Sequence, residues 1–288
     1  MESSSVLAVS KTATRTIPWS WYTDPTVHRL ELERIFRRFW HYVGMTSDVA
    51  APRSFRATRV GDVPVVLVRD EDGTLRAFLN VCRHRGSLVC EGSGTRATLQ
   101  CPYHAWTYGL DGSLLNAPRS EHEGGVEADE LGLVRLPLET WGPFVFVSPD
   151  PDAAPLSEYL EDVPERIAAA GIDVDDLRVL SRSESEYDSN WKICAENFLE
   201  CYHCPTAHPG FSAVMDVSPD TYLLDAQAWR MSQQGPPRPE PRGAYDPTGE
   251  VERVHAGVRS GLLEDGRLLP RSEQLVAHFQ SLVVDALA

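Results

Sequence analysis

No apolar run in this chain approaches the ~20 residues that a membrane-spanning helix needs, so the sequence predicts no transmembrane segment. Positive charge is scarce as well: 27 Lys and Arg stand against 42 Asp and Glu, for a net charge of −15. Such a surface repels phosphate backbones and argues against nucleic acid as a partner. The leading stretch MESSSVLAVSKTATRT is polar and lacks the apolar core of a secretory signal, and Glu2 speaks against a transit peptide. The cytoplasm is therefore the expected location. There the six cysteines read as reduced thiols or metal ligands rather than disulfides. The chain has no internal repeat and no Gly-x-Gly-x-x-Gly fingerprint for a dinucleotide.

What is present suffices for one large or two modest domains: 288 residues, 42% of them hydrophobic. Residues 24–42 predict a helix, with Asp24 as cap, Pro25 in the first turn, and Leu32, Ile35, Phe36 and Phe39 at helical spacing. From about 53 to 147 short strands alternate with turns: FRATRV, PVVLVRD, the turn EDG, LRAFLNV, the turn DG, FVFVS. Helical segments follow in 151–180, then the strand-like VLSRSESEYD, then an apolar helix over 191–203. Residues 233–249 are too rich in Pro and Gly for a helix or a central strand, and helical periodicity returns over 250–288.

Two pairs of metal-ligating residue types sit in the β region. Cys82 and His84 are two apart; after 16 intervening residues come Cys101 and His104, three apart. Each pair offers one thiolate and one imidazole. That division suits a [2Fe–2S] cluster with two Cys on one iron and two His on the other. Zinc fingers usually separate the Cys pair from the His pair and put the second pair on a helix, whereas Pro102 stands between the second pair here. Cys90, the extra thiol nearby, reads as a small buried hydrophobe.

A second cluster lies in NWKICAENFLECYHCPTAHPG, residues 190–210. On a helix over 191–203, Glu196, Glu200 and His203 fall on one stripe about 60° wide. Such a stripe is costly on a core helix unless it is paired or metal-bound. His208 is five residues past His203, but Pro205 ends the helix and lets it turn back. Two imidazoles and one carboxylate form the facial triad of mononuclear non-haem iron(II), which leaves coordination positions open.

The run NVCRHRG…CPYHAWTY together with N-W-K-x3-E-N-x2-E-x-Y-H-x4-H resembles the α subunits of Rieske non-haem iron oxygenases, over residues ~17–213 and more loosely 250–283. The resemblance implies a [2Fe–2S] cluster on Cys82, His84, Cys101 and His104, and iron on His203 and His208. It implies that Glu200 is the bridging carboxylate that links a cluster histidine of one subunit to an iron histidine of the next, in a homotrimer. Asn197 matches a polar position near the iron. ECYHCPTAHP is similar to the branch acting on choline, carnitine and betaine, with Cys201 and Cys204 read as packing residues. A separate reductase or ferredoxin would bring NAD(P)H-derived electrons, and the co-substrate would be O2. The third iron ligand is expected at Asp246, about one residue out of register, with Glu250 and Glu252 as alternatives.

Only 42 residues separate His203 from Asp246, where the family has most of a long sheet. The expected fold is therefore α+β: a helical segment over 1–45, a small antiparallel β domain over 46–150 for the cluster, and a helix-grip catalytic domain over 151–288, shortened between about 214 and 249. The expected function is an oxygenase component that hydroxylates or demethylates a small aromatic or quaternary ammonium compound. The alternative is a degenerate subunit that keeps only cluster electron transfer. A di-iron bundle built on Glu200-x-x-His203 and Glu252-x-x-His255 needs two more long Glu-bearing helices, which residues 211–249 do not supply.

Overall fold

The computed structural model describes residues 14–120, 127–239 and 250–288, with only the backbone described for 250–252. The chain forms two compact units. One combines the residues up to Ile35 with Val179–Ala288; the other is Phe36–Arg178. Residues 151–178, assigned above by pattern to the second domain, cluster with the β unit.

Helix α1 (Pro25–Glu31) starts as the sequence predicts: the Asp24 carboxylate accepts the Thr26 N–H at 2.7 Å, and Pro25 occupies the first turn. It does not reach residue 42. A π turn follows over Leu32–Phe36, and the chain then becomes strand β1 (His41–Met45). The helical pattern loses there because His41–Met45 finds an antiparallel partner a hundred residues away, beside Phe144–Val147.

The β unit contains eleven strands among the described residues. Strands β2 (Ser54–Val60), β3 (Val63–Arg69), β4 (Leu75–Leu79), β5 (Ser93–Thr95) and β9 (Arg135–Leu136) form one sheet in the order β5-β2-β3-β4-β9. Strands β6 (Leu99–Gln100), β7 (Thr107–Tyr108) and β8 (Leu114–Asn116) form a small second sheet. Strand β1 joins β10 (Leu138–Trp141) and β11 (Phe144–Val147) in the third. Every pairing is antiparallel.

Strand β3 shows why this holds together. Val65 and Leu67 point into one core with Val43, Val145 and Val147. Val66 and Val68 point into another with Phe55, Phe78, Cys82, Cys101 and Tyr108. All four β3 residues have no exposed surface, so the period-2 alternation feeds apolar bulk to both faces of the sheet. The Asp111–Gly112 turn is tight against this core. Gly112 has φ +92°, and a Cβ there would sit 2.5 Å from the Phe78 ring, so both backbone and space require glycine. Short helices α2 (Leu156–Leu160) and α3 (Val163–Ala169) follow.

The expected strand over VLSRSESEYD does not form; residues 179–188 are exposed and carry no regular structure. Alternating Ser, Glu and Arg offer no apolar face to bury.

The other unit is helical. It holds α4 (Trp191–Phe198), α5 (Cys204–Ala207), α6 (Pro209–Val214), α7 (Glu250–Val258) and α8 (Gln274–Leu287), with one hairpin, β12 (Leu223–Ala226) and β13 (Met231–Gln234). Its core joins Ile17, Trp21, Tyr22 and Val27 to Ile193 on α4 and to Val283, Val284 and Leu287 on α8. At eight residues α4 is too short to be stable alone, and polar groups hold it. The Asn190 side chain caps it by accepting the Lys192 N–H at 3.0 Å. Lys192 and Glu31 form an ion pair with no exposed side-chain surface. The Lys192 ammonium also donates to the Trp21 carbonyl at 3.1 Å and to Asn190 at 3.0 Å, and Glu31 accepts the Trp191 indole N–H at 2.9 Å. Burial lowers the Lys192 pKa, and the Glu31 charge opposes that shift.

A buried pair broken on one side leaves an uncompensated charge. Glu31→Ala should therefore destabilise this unit by about 3–5 kcal/mol, while Glu31→Leu with Lys192→Met should cost markedly less. Urea unfolding followed by far-UV circular dichroism measures both; equal losses would show that the charge itself is not what matters.

Candidate active site and cluster site

In the β unit, the two loops bearing Cys82/His84 and Cys101/His104 come together. The first leaves β4 and folds back on itself: the Cys82 N–H donates to the Ser87 carbonyl at 2.8 Å, and the Gly86 N–H to the Cys82 carbonyl at 3.1 Å. The second, between β6 and β7, closes with Cys101 N–H to Trp106 carbonyl at 2.8 Å and Ala105 N–H to Cys101 carbonyl at 3.0 Å. Both cysteines are buried, whereas His84 and His104 are exposed. Their rings lie 4.7 Å apart by centroid; Trp106 stacks on His84 at 5.0 Å, and Tyr103 lies against His104.

Two further residues support these loops. Buried Asn80 accepts the N–H groups of Val89 and Cys90 at 3.2 and 3.1 Å and donates to the Cys90 carbonyl at 2.8 Å. The Tyr108 hydroxyl sits 3.2 Å from the Cys82 sulfur and accepts the Arg83 N–H at 3.0 Å. Burial, and then the Cys82 thiol, raises the Tyr108 pKa, so it remains a hydroxyl donor. Burial would also raise the Cys101 pKa, but the Tyr103 and His104 N–H groups, the Cys82 thiol and the Ser87 hydroxyl outweigh it, and the shift is downward. Cys90 differs: burial pushes its thiol up to about 11, as suits a packed, inert group. Two buried thiols with hydrogen-bond donors around them and two exposed imidazoles match the donor set of a [2Fe–2S] cluster held by two Cys and two His.

The second site differs from the expected stripe. Helix α4 stops at Phe198, so Glu196, Glu200 and His203 do not share one helix face. Glu200 ends it. Its carboxylate accepts the N–H of Tyr202 and, at 3.3 Å, the N–H of His203; these donors are thereby taken by a side chain instead of a helical carbonyl. The same carboxylate binds Nδ1 of His203. That leaves Nε2 as the nitrogen for a metal, with the Asn197 amide 3.3 Å away. His208, buried between α5 and α6, places its ring 4.9 Å from that of His203, at 78°. Two imidazoles edge to face, one oriented by a carboxylate, fit a histidine-bound iron. Asp246 and the side chains of Glu250 and Glu252 lie outside the described residues. Among the described residues, no three His, Cys, Asp or Glu side chains converge on a single metal position.

Glu196 serves the scaffold. It is half-buried and accepts the Tyr22 hydroxyl at 2.8 Å and the Gln280 amide at 2.9 Å. His255, half-buried on α7, accepts the Asn190 N–H at 3.2 Å on Nδ1. Cys201 and Cys204 are not two separate packing thiols: they form a disulfide across the turn that carries His203.

Residues 39–137 match the Rieske [2Fe-2S] domain, and residues 174–250 match the catalytic domain of the ring hydroxylating alpha subunit. The structure of the quaternary ammonium Rieske monooxygenase CntA with L-carnitine superposes with a TM-score of 0.81 and 30% identity, covering 95% of this chain and 96% of that one. The chain belongs to the Rieske ring-hydroxylating oxygenase α-subunit family. Among curated members of this family, choline monooxygenase of Atriplex hortensis is 39% identical over 215 residues, which is 73% of this chain and 48% of that protein. The carnitine monooxygenase oxygenase subunit of Acinetobacter pittii is 38% identical over 203 residues, 70% of this chain and 55% of that one. The chain thus spans about half the length of the curated relatives it matches. Family membership implies a Rieske cluster and a mononuclear non-haem iron, and both donor sets described above fit these groups.

Burial pushes the Glu196 pKa up to about 7 from its usual 4.5, against the hydrogen bonds from Gln280 and Tyr22 and the charge of Lys192. The folded protein then holds a proton that the unfolded chain has released between those two values. Stability should fall as pH rises from about 4.5 to about 7 and level off above. Glu196→Gln should flatten that decline; denaturant midpoints measured from pH 4.5 to 8 check it.

Proposed function

We propose that this chain is the oxygenase component of a Rieske-type monooxygenase that hydroxylates or demethylates a small quaternary ammonium compound, with O2 as co-substrate. Its electrons would come from a separate NAD(P)H-dependent reductase or ferredoxin, and the proposed location is the cytoplasm. The observation that carries the reading is the pairing of His203 and His208 at 4.9 Å, with Glu200 on His203 Nδ1, in a chain that also brings two Cys/His pairs together. The substrate class follows from the relatives, whose names specify choline and carnitine.

Cys82, His84, Cys101 and His104 would hold the cluster; His203, His208 and Asp246 would hold the iron. When bound, the cluster supplies single electrons and the iron supplies activation of O2. The chain's own groups do the rest. Tyr108 and the loop N–H groups stabilise charge on the cysteine sulfurs. Glu200 holds the His203 Nδ1 proton and fixes which nitrogen faces the metal. Asn197 stands beside that nitrogen as a donor. In the homotrimer proposed here, Glu200 also meets a cluster histidine of the neighbouring subunit; for the quaternary ammonium Rieske monooxygenase CntA, inter-subunit electron transfer has been described.

One observation favours the second reading, a subunit that keeps cluster electron transfer without catalytic iron. Among the described residues, the helical unit has a single two-stranded hairpin, β12–β13, for a sheet.

Metal analysis separates the two. Anaerobically purified protein should carry three irons and two acid-labile sulfides per chain; two irons and two sulfides would favour electron transfer alone. Glu200→Gln should keep the cluster spectrum while lowering substrate-coupled O2 uptake by about 10–100-fold. Unchanged uptake would remove Glu200 from the route.

A further inference from the structure

The Cys201–Cys204 disulfide spans the turn that holds His203, and it is not sealed on all sides. Both cysteines are buried, at 7% and 4% exposure. Yet Cys201 forms part of the wall of a cavity of about 300 Å³, and Cys204 does not. The described wall also includes the apolar and aromatic residues Val217, Tyr222 and Leu224 and the cationic Arg238 and Arg271. Each arginine is tied from outside the cavity. Arg238 donates to the Ser212 carbonyl at 2.8 Å and lies 3.6 Å from Asp216, and Arg271 pairs with Asp220 at 2.8 Å. Neither aspartate lines the cavity; among the described residues its wall includes two arginines and no carboxylate-bearing residue.

We propose that this cavity admits a small anionic thiol, one bearing a carboxylate or sulfonate, which exchanges with the Cys201–Cys204 disulfide and thereby opens or closes the His203 turn. Cys201, the cysteine on the cavity wall, is the one attacked. The incoming thiolate reaches Cys201 Sγ through the cavity, and a new S–S bond forms there. The Cys201–Cys204 bond breaks, and its electron pair leaves on Cys204, which takes a proton from solvent. A second thiolate then attacks the ligand sulfur of the mixed disulfide and releases Cys201. Two small thiols are oxidised to their disulfide, and the protein disulfide is reduced to two thiols. In the reducing cytoplasm proposed for this chain, a disulfide that persists is of the exchangeable kind. The consequence is local. The bridge closes the loop from residue 201 to 204, and His203 lies within it with its Nδ1 on Glu200. Reduction removes that closure, and the imidazole that faces the metal loses its fixed position.

The test uses the full chain and needs neither substrate nor turnover. Protein purified in air without reductant is exposed to 2-mercaptoethanesulfonate or to cysteamine, quenched in acid, alkylated and mapped by peptide mass spectrometry. Each rate is divided by that thiol's rate on an uncharged disulfide peptide. The anionic thiol should react at least about tenfold faster than the cationic one, because a cleft lined by positive charge attracts the anion and repels the cation. The mixed disulfide should appear on Cys201. Arg238→Ala with Arg271→Ala should bring the ratio to unity. Cobalt(II) titration of the metal site should weaken by about 10–100-fold on reduction. Four outcomes would each overturn the proposal: two free thiols in the air-purified protein, equal relative rates, capture on Cys204, or cobalt affinity indifferent to reduction. Loss of oxygenase activity as such would leave these readouts standing, so failure of the substrate reading and failure of this one are separable.

Discussion

The buried ion pair between Glu31 and Lys192 fixes where α4 lies, and the metal turn depends on α4. Desolvating two charges is expensive, and their mutual attraction offsets that cost only when the remaining donors and acceptors are also satisfied. Here they are: the Trp21 carbonyl and Asn190 take Lys192 protons, and the Trp191 indole serves Glu31. A second polar clasp, Tyr22–Glu196–Gln280, ties the same short helix to α8. With α4 held at both positions, its last turn delivers Asn197, and the chain leaving it delivers Glu200 and His203.

The two donor sets are built by opposite means. In the β unit the ligands sit on loops between paired strands, and the thiols are part of a continuous core that includes Phe55, Val66, Phe78 and Tyr108. Rigidity comes from packing, and Asn80 trims the loop with three hydrogen bonds to backbone. In the helical unit the two proposed ligands flank the short helix α5, His203 before it and His208 after it. Order there comes from one carboxylate that accepts two backbone N–H groups and one imidazole, plus a disulfide. The first arrangement suits a group that changes charge by one electron with little rearrangement. The second would suit the substrate-handling centre proposed above. It also makes that centre sensitive to anything that alters the turn.

Spacing carried most of what could be read early. Cys82, His84, Cys101 and His104 stood out as candidates because metal ligation imposes residue types at short, fixed intervals, and His203 and His208 stood out with them. Residues that act by hydrogen bonding left no such mark. Asn80 and Tyr108 stand inside the quoted motifs, but nothing in their spacing separates them from neighbours that only pack. Glu31 and Lys192 are 161 residues apart, and no local pattern joins them. Two expectations failed for the same reason. A stripe over 191–203 presumed that helical periodicity continues until proline stops it, whereas the Glu200 side chain competes for the backbone donors and ends the helix earlier. Residues 41 and 42 were drawn into a helix by periodicity, while a strand partner a hundred residues downstream claimed them.

The amino-acid sequence alone determined the chemistry available: two Cys/His pairs, two further histidines, a glutamate and an asparagine within one segment, and a β region with alternation strong enough to fill two cores. These are consequences of residue type and short-range order. Tertiary structure alone decided the rest: which carboxylate is scaffold and which orients a histidine, that two cysteines join, and which of the two lines a cavity. Burial and hydrogen-bond partners assign those roles, and both are set by segments that meet only when the chain is folded.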